Sequence, residues 1–314
     1  MVAHGLTALG WDEGWAEQWH ALGAPEPIGR VARLDRGWST VWTADGDLRL
    51  RTAGTDVAVG DWVVASADGE RVGTVLERRG AFVRRGARGA TSGHVAAANV
   101  DVAALLHSLT ARPSPRRLER ELVIAFESGA EPVVVLTKAD LGKDVERALT
   151  LARSVAPDVT AIAVSAGTGQ GLDDVAALAG SGRTVAFLGA SGVGKSTLVN
   201  ALVGRDAQRV GHVRADQKGR HTTTSAELVP LPRGGLLMDT PGLRSLGLWS
   251  DGEGLDRAFA DISERALKCR FPNCQHRSEP GCAVRDHVEP ARLDAYRRLR
   301  AELDALEIEL NHRR

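Results

Sequence analysis

The sequence predicts a multidomain α/β protein with a small β-barrel, then a doubly wound, mostly parallel sheet, then a short helical segment built around a metal. Three observations predict it. Short alternating strands separated by turn signals fill residues 29 to 85. From residue 94 to about 250 strands alternate with helices, and a Gly-x4-Gly-Lys-Ser loop follows one of the strands. All three cysteines of the chain fall between 269 and 282, with a histidine among them. At 314 residues the chain is long enough for two or three such units.

Residues 1–28 form an N-terminal extension in which Trp11, Trp15 and Trp19 recur every four positions, the spacing of a packed helix. Residues 29–88 read as the barrel. Its strands begin near Val31, Trp38, Leu48, Trp62 and Val72, and Asp45-Gly46, Gly60-Asp61 and Asp68-Gly69 mark turns. About five short strands in this length suit an OB-fold, a barrel whose usual ligands are oligonucleotides; a barrel serving only as a spacer fits the pattern equally. Residues 86–93, rich in Gly and Ala, read as a linker. In residues 94–250, strands are expected over 99–106, 133–137, 159–165, 184–188 and 236–239, and helices over 115–128, 144–155, 172–178 and 195–203. The last unit, residues 254–314, holds the Cys/His knot and a helix opened by Pro290. On that helix Leu293, Tyr296, Leu299, Leu303, Leu306 and Leu310 make one apolar stripe.

Forty basic and forty acidic residues give zero net charge, so overall charge makes no case for nucleic acid. Local clusters exist: Arg78, Arg79, Arg84, Arg85 and Arg88; Arg112, Arg116 and Arg117; and a run from Arg205 to Arg220. Each is either a solvated face or a surface that steers toward phosphates. No stretch approaches the roughly 18 apolar residues of a membrane span. The start lacks a basic segment followed by an apolar one, and three cysteines argue against a disulfide framework. A monomer of the reducing cytoplasm, with no membrane partner, is expected.

The loop Gly189-Ala190-Ser191-Gly192-Val193-Gly194-Lys195-Ser196-Thr197 lies between a strand and a helix. That context turns backbone N–H groups and a helix start toward phosphate oxygens. Lys195 is placed to neutralise β- and γ-phosphate charge and Ser196 to bind Mg2+. Asp239-Thr240-Pro241-Gly242 ends a later strand; Asp239 is expected on Mg2+ and the Gly242 N–H on the γ-phosphate. Of Thr222, Thr223 and Thr224 between these segments, Thr223 is the candidate Mg2+ hydroxyl.

Thr137-Lys138-Ala139-Asp140 and Ser165-Ala166 each follow a predicted strand. A carboxylate accepts from both N1–H and the exocyclic amine of guanine, a pair adenine lacks, so Asp140 is the expected base reader. Lys138 can lay its stem over the ring, and the Ala166 N–H can donate to the guanine carbonyl. Asn is usual at position 137; Thr is shorter and has no amide donor, which leads to an expectation of looser nucleotide binding. These base readers precede the phosphate loop, the reverse of the usual order, which suggests a rotated chain.

Many GTPases place Gln after Asp-x-x-Gly to orient the attacking water. Here that position is Leu243, which cannot orient water, so either intrinsic hydrolysis is slow or another group is delivered. His221 is the nearest polar candidate, and an exposed loop histidine is the alternative reading. A phosphotransferase acting on a small molecule would share the phosphate loop but would leave Asp140 and Ala166 without a purpose.

Cys269, Cys274, His276 and Cys282 supply three sulfurs and an imidazole, a donor set that suits one structural Zn2+ with no open position for catalysis.

With base readers first, then phosphate loop, Gly219-Arg220-His221-Thr222-Thr223-Thr224, Asp-Thr-Pro-Gly and a Cys3His knot, the chain resembles the RsgA (YjeQ/EngC) family. The resemblance covers about residues 29–310. It implies an OB-fold, then a circularly permuted P-loop GTPase domain, then a C-terminal zinc-binding domain. It also implies GTP and GDP as ligands and the small ribosomal subunit with its rRNA as partner. GTP hydrolysis would be stimulated by the subunit late in its maturation and followed by release. A hydrophobic residue in place of the catalytic Gln belongs to that family pattern. A GTP switch with a non-ribosomal partner remains the alternative.

Overall fold

The computed structural model describes residues 5–23, 27–84, 93–180, 182–207, 226–239, 247–248 and 252–311. The N-terminal extension is part of the body of the protein. Helix α1 (Glu13–Ala21) starts at Asp12, whose carboxylate accepts from Trp15 N at 3.2 Å. Trp15 is buried and Trp11, just before the helix, meets Trp62 edge-on at 4.8 Å. The expected tryptophan stripe is thus one turn of lead-in plus a helix.

Strands β1 (Ile28–Asp35), β2 (Trp38–Thr43), β3 (Gly46–Arg51), β4 (Trp62–Ala65) and β5 (Val72–Val75) pair antiparallel as β1–β2, β2–β3, β1–β4 and β4–β5. A bridge between Arg51 and Arg71 brings β3 to the start of β5, so the five strands return on themselves as a barrel. Alternation decides what faces inward: Ser39, Val41 and Thr43 of β2 are buried while their neighbours are half-exposed. Val31, Val41, Leu50, Val57, Val63 and Val72 fill the interior.

A hairpin, β6 (Ala81–Arg84) with β7 (His94–Ala98), flanks the expected linker. Strand β7 is not legible in the sequence because its alanines carry little strand preference. Next come β8 (Val102–Ser108), α2 (Pro115–Glu127), β9 (Glu131–Thr137), α3 (Val145–Val155), β10 (Ala161–Val164), α4 (Leu172–Ala179), β11 (Thr184–Gly189) and α5 (Lys195–Ala207). Two further strands follow, β12 (Glu227–Pro230) and β13 (Leu236–Asp239).

Strands β10, β9, β8, β11 and β13 are parallel neighbours in that order. Strand β12, unanticipated because it is four residues long and ends in Pro230, pairs antiparallel with β13. Its Glu227 also meets Arg33 of β1, so among the described residues barrel and parallel strands share one 11-stranded sheet. Period-two alternation in β8 divides the core. Ala103 and Leu105 pack with Leu118 and Leu122 of α2, and Val102, Ala104 and Leu106 with the α4 and α5 side.

Three helices close the chain: α6 (Glu253–Ala258), α7 (Ala260–Ala266) and α8 (Pro290–Asn311). Leu293, Tyr296, Leu299 and Leu303 of α8 are buried as their spacing predicts, and Leu306 packs at the edge. Helix α6 touches α2 closely; a Cβ on Gly254 would sit 2.2 Å from Glu127 Cγ and 2.6 Å from Val123 O. Two ion pairs, Arg120–Glu302 and Arg298–Glu119, each at 2.6 Å, tie α2 to α8.

Candidate nucleotide site and metal centre

The chain lays down β8, β9 and β10 in one direction, then returns to the other side of β8 with β11. Ligands of open α/β sheets bind beyond the strand ends where the order reverses in this way. Thr137 ends β9, Ser165 follows β10, Gly189 ends β11 and Asp239 ends β13, all on the same edge. The rotated order along the chain therefore becomes an ordinary neighbourhood in space. The base readers stand on one side of β8, and the phosphate loop and Asp239 on the other.

The loop from Gly189 to Gly194 curls through left-handed backbone at Gly192 and Gly194, with φ of 76° and 108°. Ala190 is half-buried, Ser191 exposed and Val193 buried beneath the loop. Lys195 folds back so that Nζ donates to Gly189 O at 2.6 Å and Ala190 O at 2.8 Å. Ser196 and Thr197 are exposed on the first turn of α5, where the leading N–H groups and the helix dipole favour an anion.

Three hydrogen bonds brace the base readers and the loop. Thr137 Oγ1 donates to Val193 O at 2.6 Å, and Lys138 Nζ to Gly192 O at 2.8 Å. Ser165 Oγ donates to Asp140 Oδ1 at 2.6 Å, itself accepting from Thr168 N at 3.2 Å. The Thr137 hydroxyl thus supplies a loop-bracing donor despite lacking an amide. Lys138 adopts left-handed backbone, φ 58°, a cost of roughly 1–2 kcal/mol that the fixed turn sustains. Asp140 and Ala166 line a cleft with Lys138, Gly194 and Thr197. His221, Thr223 and Gly242 lie outside the described residues, as do Thr222, Thr224 and Leu243.

Two of the arginines at the barrel exit are paired: Arg78 with the fully buried carboxylate of Asp61 at 2.7 Å, and Arg79 with Asp12 at 2.6 Å in an exposed pair. Arg84 is exposed, and Arg85 and Arg88 lie outside the described residues.

The ligand atoms of Cys269, Cys274, His276 and Cys282 all lie within 4.8 Å of one another. His276 Nδ1 is 3.7 Å from Cys269 Sγ and 3.5 Å from Cys282 Sγ. Zn–S bonds of about 2.3 Å in a tetrahedron put sulfurs roughly 3.8 Å apart, so the donors are at coordinating separation. Burial holds the His276 imidazole below its ordinary value, keeping it in the neutral, ligating form. Burial pushes the Cys274 thiol up to about 11; a bound dication would displace that proton. Backbone N–H groups of Ala283 and Arg285 point at Cys269 and Cys282 sulfurs at 3.3 Å, and Arg297 of α8 donates to His276 O. The residues present fit one tetrahedral Zn2+.

Comparison with known proteins gives a consistent result. The family model described as RsgA GTPase matches residues 75–249. The chain is 46% identical over 316 residues to the "Small ribosomal subunit biogenesis GTPase RsgA" of Streptomyces coelicolor, covering 95% of this chain and 86% of that one. It is 42% identical to "Small ribosomal subunit biogenesis GTPase RsgA 2" of Lactiplantibacillus plantarum, covering 88% and 83%. Among solved structures, YjeQ from Thermotoga maritima superposes with a TM-score of 0.67 at 25% identity, covering 88% of this chain and 98% of that one. YloQ, described as a circularly permuted GTPase, gives 0.63 at 28% identity, covering 89% and 95%.

Proposed function

Because the chain belongs to the RsgA family of circularly permuted GTPases, we propose that it hydrolyses GTP to GDP and phosphate in the maturation of the small ribosomal subunit. In this reading the protein works in the cytoplasm as a monomer of three units, with boundaries at 29–88, 94–250 and 254–314. It binds the subunit late in maturation, is stimulated by it, and leaves once GTP is hydrolysed. The observation that carries the nucleotide half of this reading is the set of three hydrogen bonds joining Thr137, Lys138 and Asp140 to Val193, Gly192 and Ser165. They hold a guanine-reading carboxylate at a fixed distance from a phosphate loop, which a phosphotransferase of another base would not need.

The roles follow from the chemistry. Asp140 accepts from the guanine edge, Lys138 covers the ring, and Ala166 N–H meets the carbonyl. N–H groups from Gly189 through Thr197 bind the phosphates, and Lys195 moves from the loop carbonyls to the β- and γ-oxygens. Ser196, Thr223 and Asp239 hold Mg2+, which neutralises charge on the phosphates when bound. Gly242 meets the γ-phosphate. His221 orients the attacking water, since Leu243 cannot. Cys269, Cys274, His276 and Cys282 hold a Zn2+ that replaces the core a short segment lacks.

A competition panel tests guanine selection. GDP should displace a labelled guanine nucleotide at least about a hundredfold better than ADP, reflecting two charge-assisted bonds worth roughly 1.5 kcal/mol or more each. Equal displacement by ADP would remove Asp140 from its assigned role. For His221, the His221→Ala variant should retain nucleotide affinity and lose subunit-stimulated turnover by about 100-fold; unchanged stimulated turnover would return the histidine to an ordinary loop residue.

A further inference from the structure

Beside the guanine cleft, and separate from it, runs a larger cleft of about 670 Å3 between the β8–α2 loop and α3. Its size falls within the roughly 300–1,000 Å3 of typical ligand sites. Leu109, Leu141 and Leu151 make an apolar floor, and Arg112, Lys143 and Arg147 a cationic rim. All three cations are exposed. None makes a side-chain hydrogen bond or ion pair with any described residue. In this they differ from Arg120, Arg183, Arg233 and Arg298, each held by a carboxylate, and resemble Arg36, Arg116 and Arg153; only these three, though, line one cleft. The cleft's own carboxylate, Asp144, caps α3, where it accepts from Arg147 N at 2.9 Å, and makes no ion pair with the three cations. With Asp144 counted, the lining still carries an excess of positive charge around an apolar floor.

Leu141 adds a second observation. It is 61% exposed, unusual for a large apolar side chain in this fold. It directly follows Asp140 and lines both the guanine cleft and this one.

We propose that this cleft docks a single RNA strand, its phosphates on Arg112, Lys143 and Arg147 and a base or ribose on the leucine floor. Single-stranded nucleic-acid sites combine a cationic track with a platform for the bases; here leucines take the place of the usual aromatic rings. An all-acidic chain such as poly-glutamate would use the rim but leave the leucine floor uncovered. The identity of the strand as ribosomal rests on the proposed function above. RNA seated on Leu141 touches the turn that carries the base reader. Strand docking and nucleotide binding therefore share a wall, and any coupling between them is reciprocal.

The test uses the full chain and a triple variant, Arg112→Ala, Lys143→Ala and Arg147→Ala, with affinity for labelled GDP as the check that the fold is intact. Binding is measured to purified small subunits, to a uridine 12-mer and to poly-glutamate across a salt series. The proposal expects the variant to bind subunits at least tenfold more weakly. It also expects the log K against log salt slope for the 12-mer to be shallower by about two, from three phosphates at about 0.7 each. Unchanged subunit affinity and slope would overturn the proposal and leave the assigned function standing. If the wild type fails to bind subunits at all, the assigned function falls, and the 12-mer decides the cleft: a weakened variant supports it, an equal one overturns it. Displacement of the 12-mer by poly-glutamate at matched charge would overturn RNA in favour of an acidic protein.

Discussion

Thr137 shows how one hydroxyl can do work that its position usually gives to an amide. Buried at the end of β9, it donates to Val193 O inside the phosphate loop, 56 residues ahead in the chain. Thr137→Val keeps the shape and leaves that carbonyl without its partner, a loss of about 1–3 kcal/mol. Affinity for GDP, measured by titration, should fall about tenfold, whereas Thr137→Asn should retain most of it. Equal affinity in the Val variant would mean that the loop holds its shape unaided. The same residue marks the limit of sequence reading at this scale. Lys195, Ser196 and Asp140 are legible because phosphate and guanine chemistry dictate residue type and spacing. The partner of Thr137 is a backbone carbonyl, which no residue type announces. Leu141 is likewise silent in the sequence, since only folding reveals that it stays exposed between two clefts.

At the scale of elements, α2 is the hub. One face packs on Ala103 and Leu105 of β8, while its ends meet α6 at Gly254 and α8 through Arg120 and Glu119. The C-terminal segment is thus tied to the nucleotide-binding sheet by packing and ion pairs as well as by the connection after Gly242. The helix α8 stripe was readable from spacing because a long helix repeats its signal; α6 and α7, of six and seven residues, repeat theirs too little. Between α7 and α8 the knot has no helix or strand to hold it, so a metal on its four donors would supply its closure. Elemental analysis should find one zinc per chain. Its removal by a chelator should make the segment around 269–282 sensitive to protease while GDP affinity changes less than about twofold. A zinc-free protein with the same protease resistance would mean that the thiols and His276 close the knot alone.

For the whole molecule, barrel, nucleotide sheet and N-terminal extension are fastened at one buried point. Arg30 of β1, drawn down to about 10 by burial and still charged at neutral pH, donates to Gly60 O at 3.2 Å, to Asn99 O at 2.8 Å and to Leu9 O. It links the extension, the barrel and the strand leading into β8 in one side chain. The barrel's existence was legible from strand and turn spacing. Its union with the nucleotide sheet was not, because the join is the pairing of Arg33 with Glu227 in a strand too short to detect. The nucleotide-binding loops are set into one continuous sheet with the barrel, and the C-terminal helices pack on α2; the proposed control of hydrolysis by a large partner would act on this single body. The central claim is that this partner is the small ribosomal subunit. GTP turnover measured alone, with purified small subunits and with purified large subunits tests it most directly. The account predicts turnover raised at least tenfold by small subunits and unchanged by large ones; equal turnover in all three would contradict it.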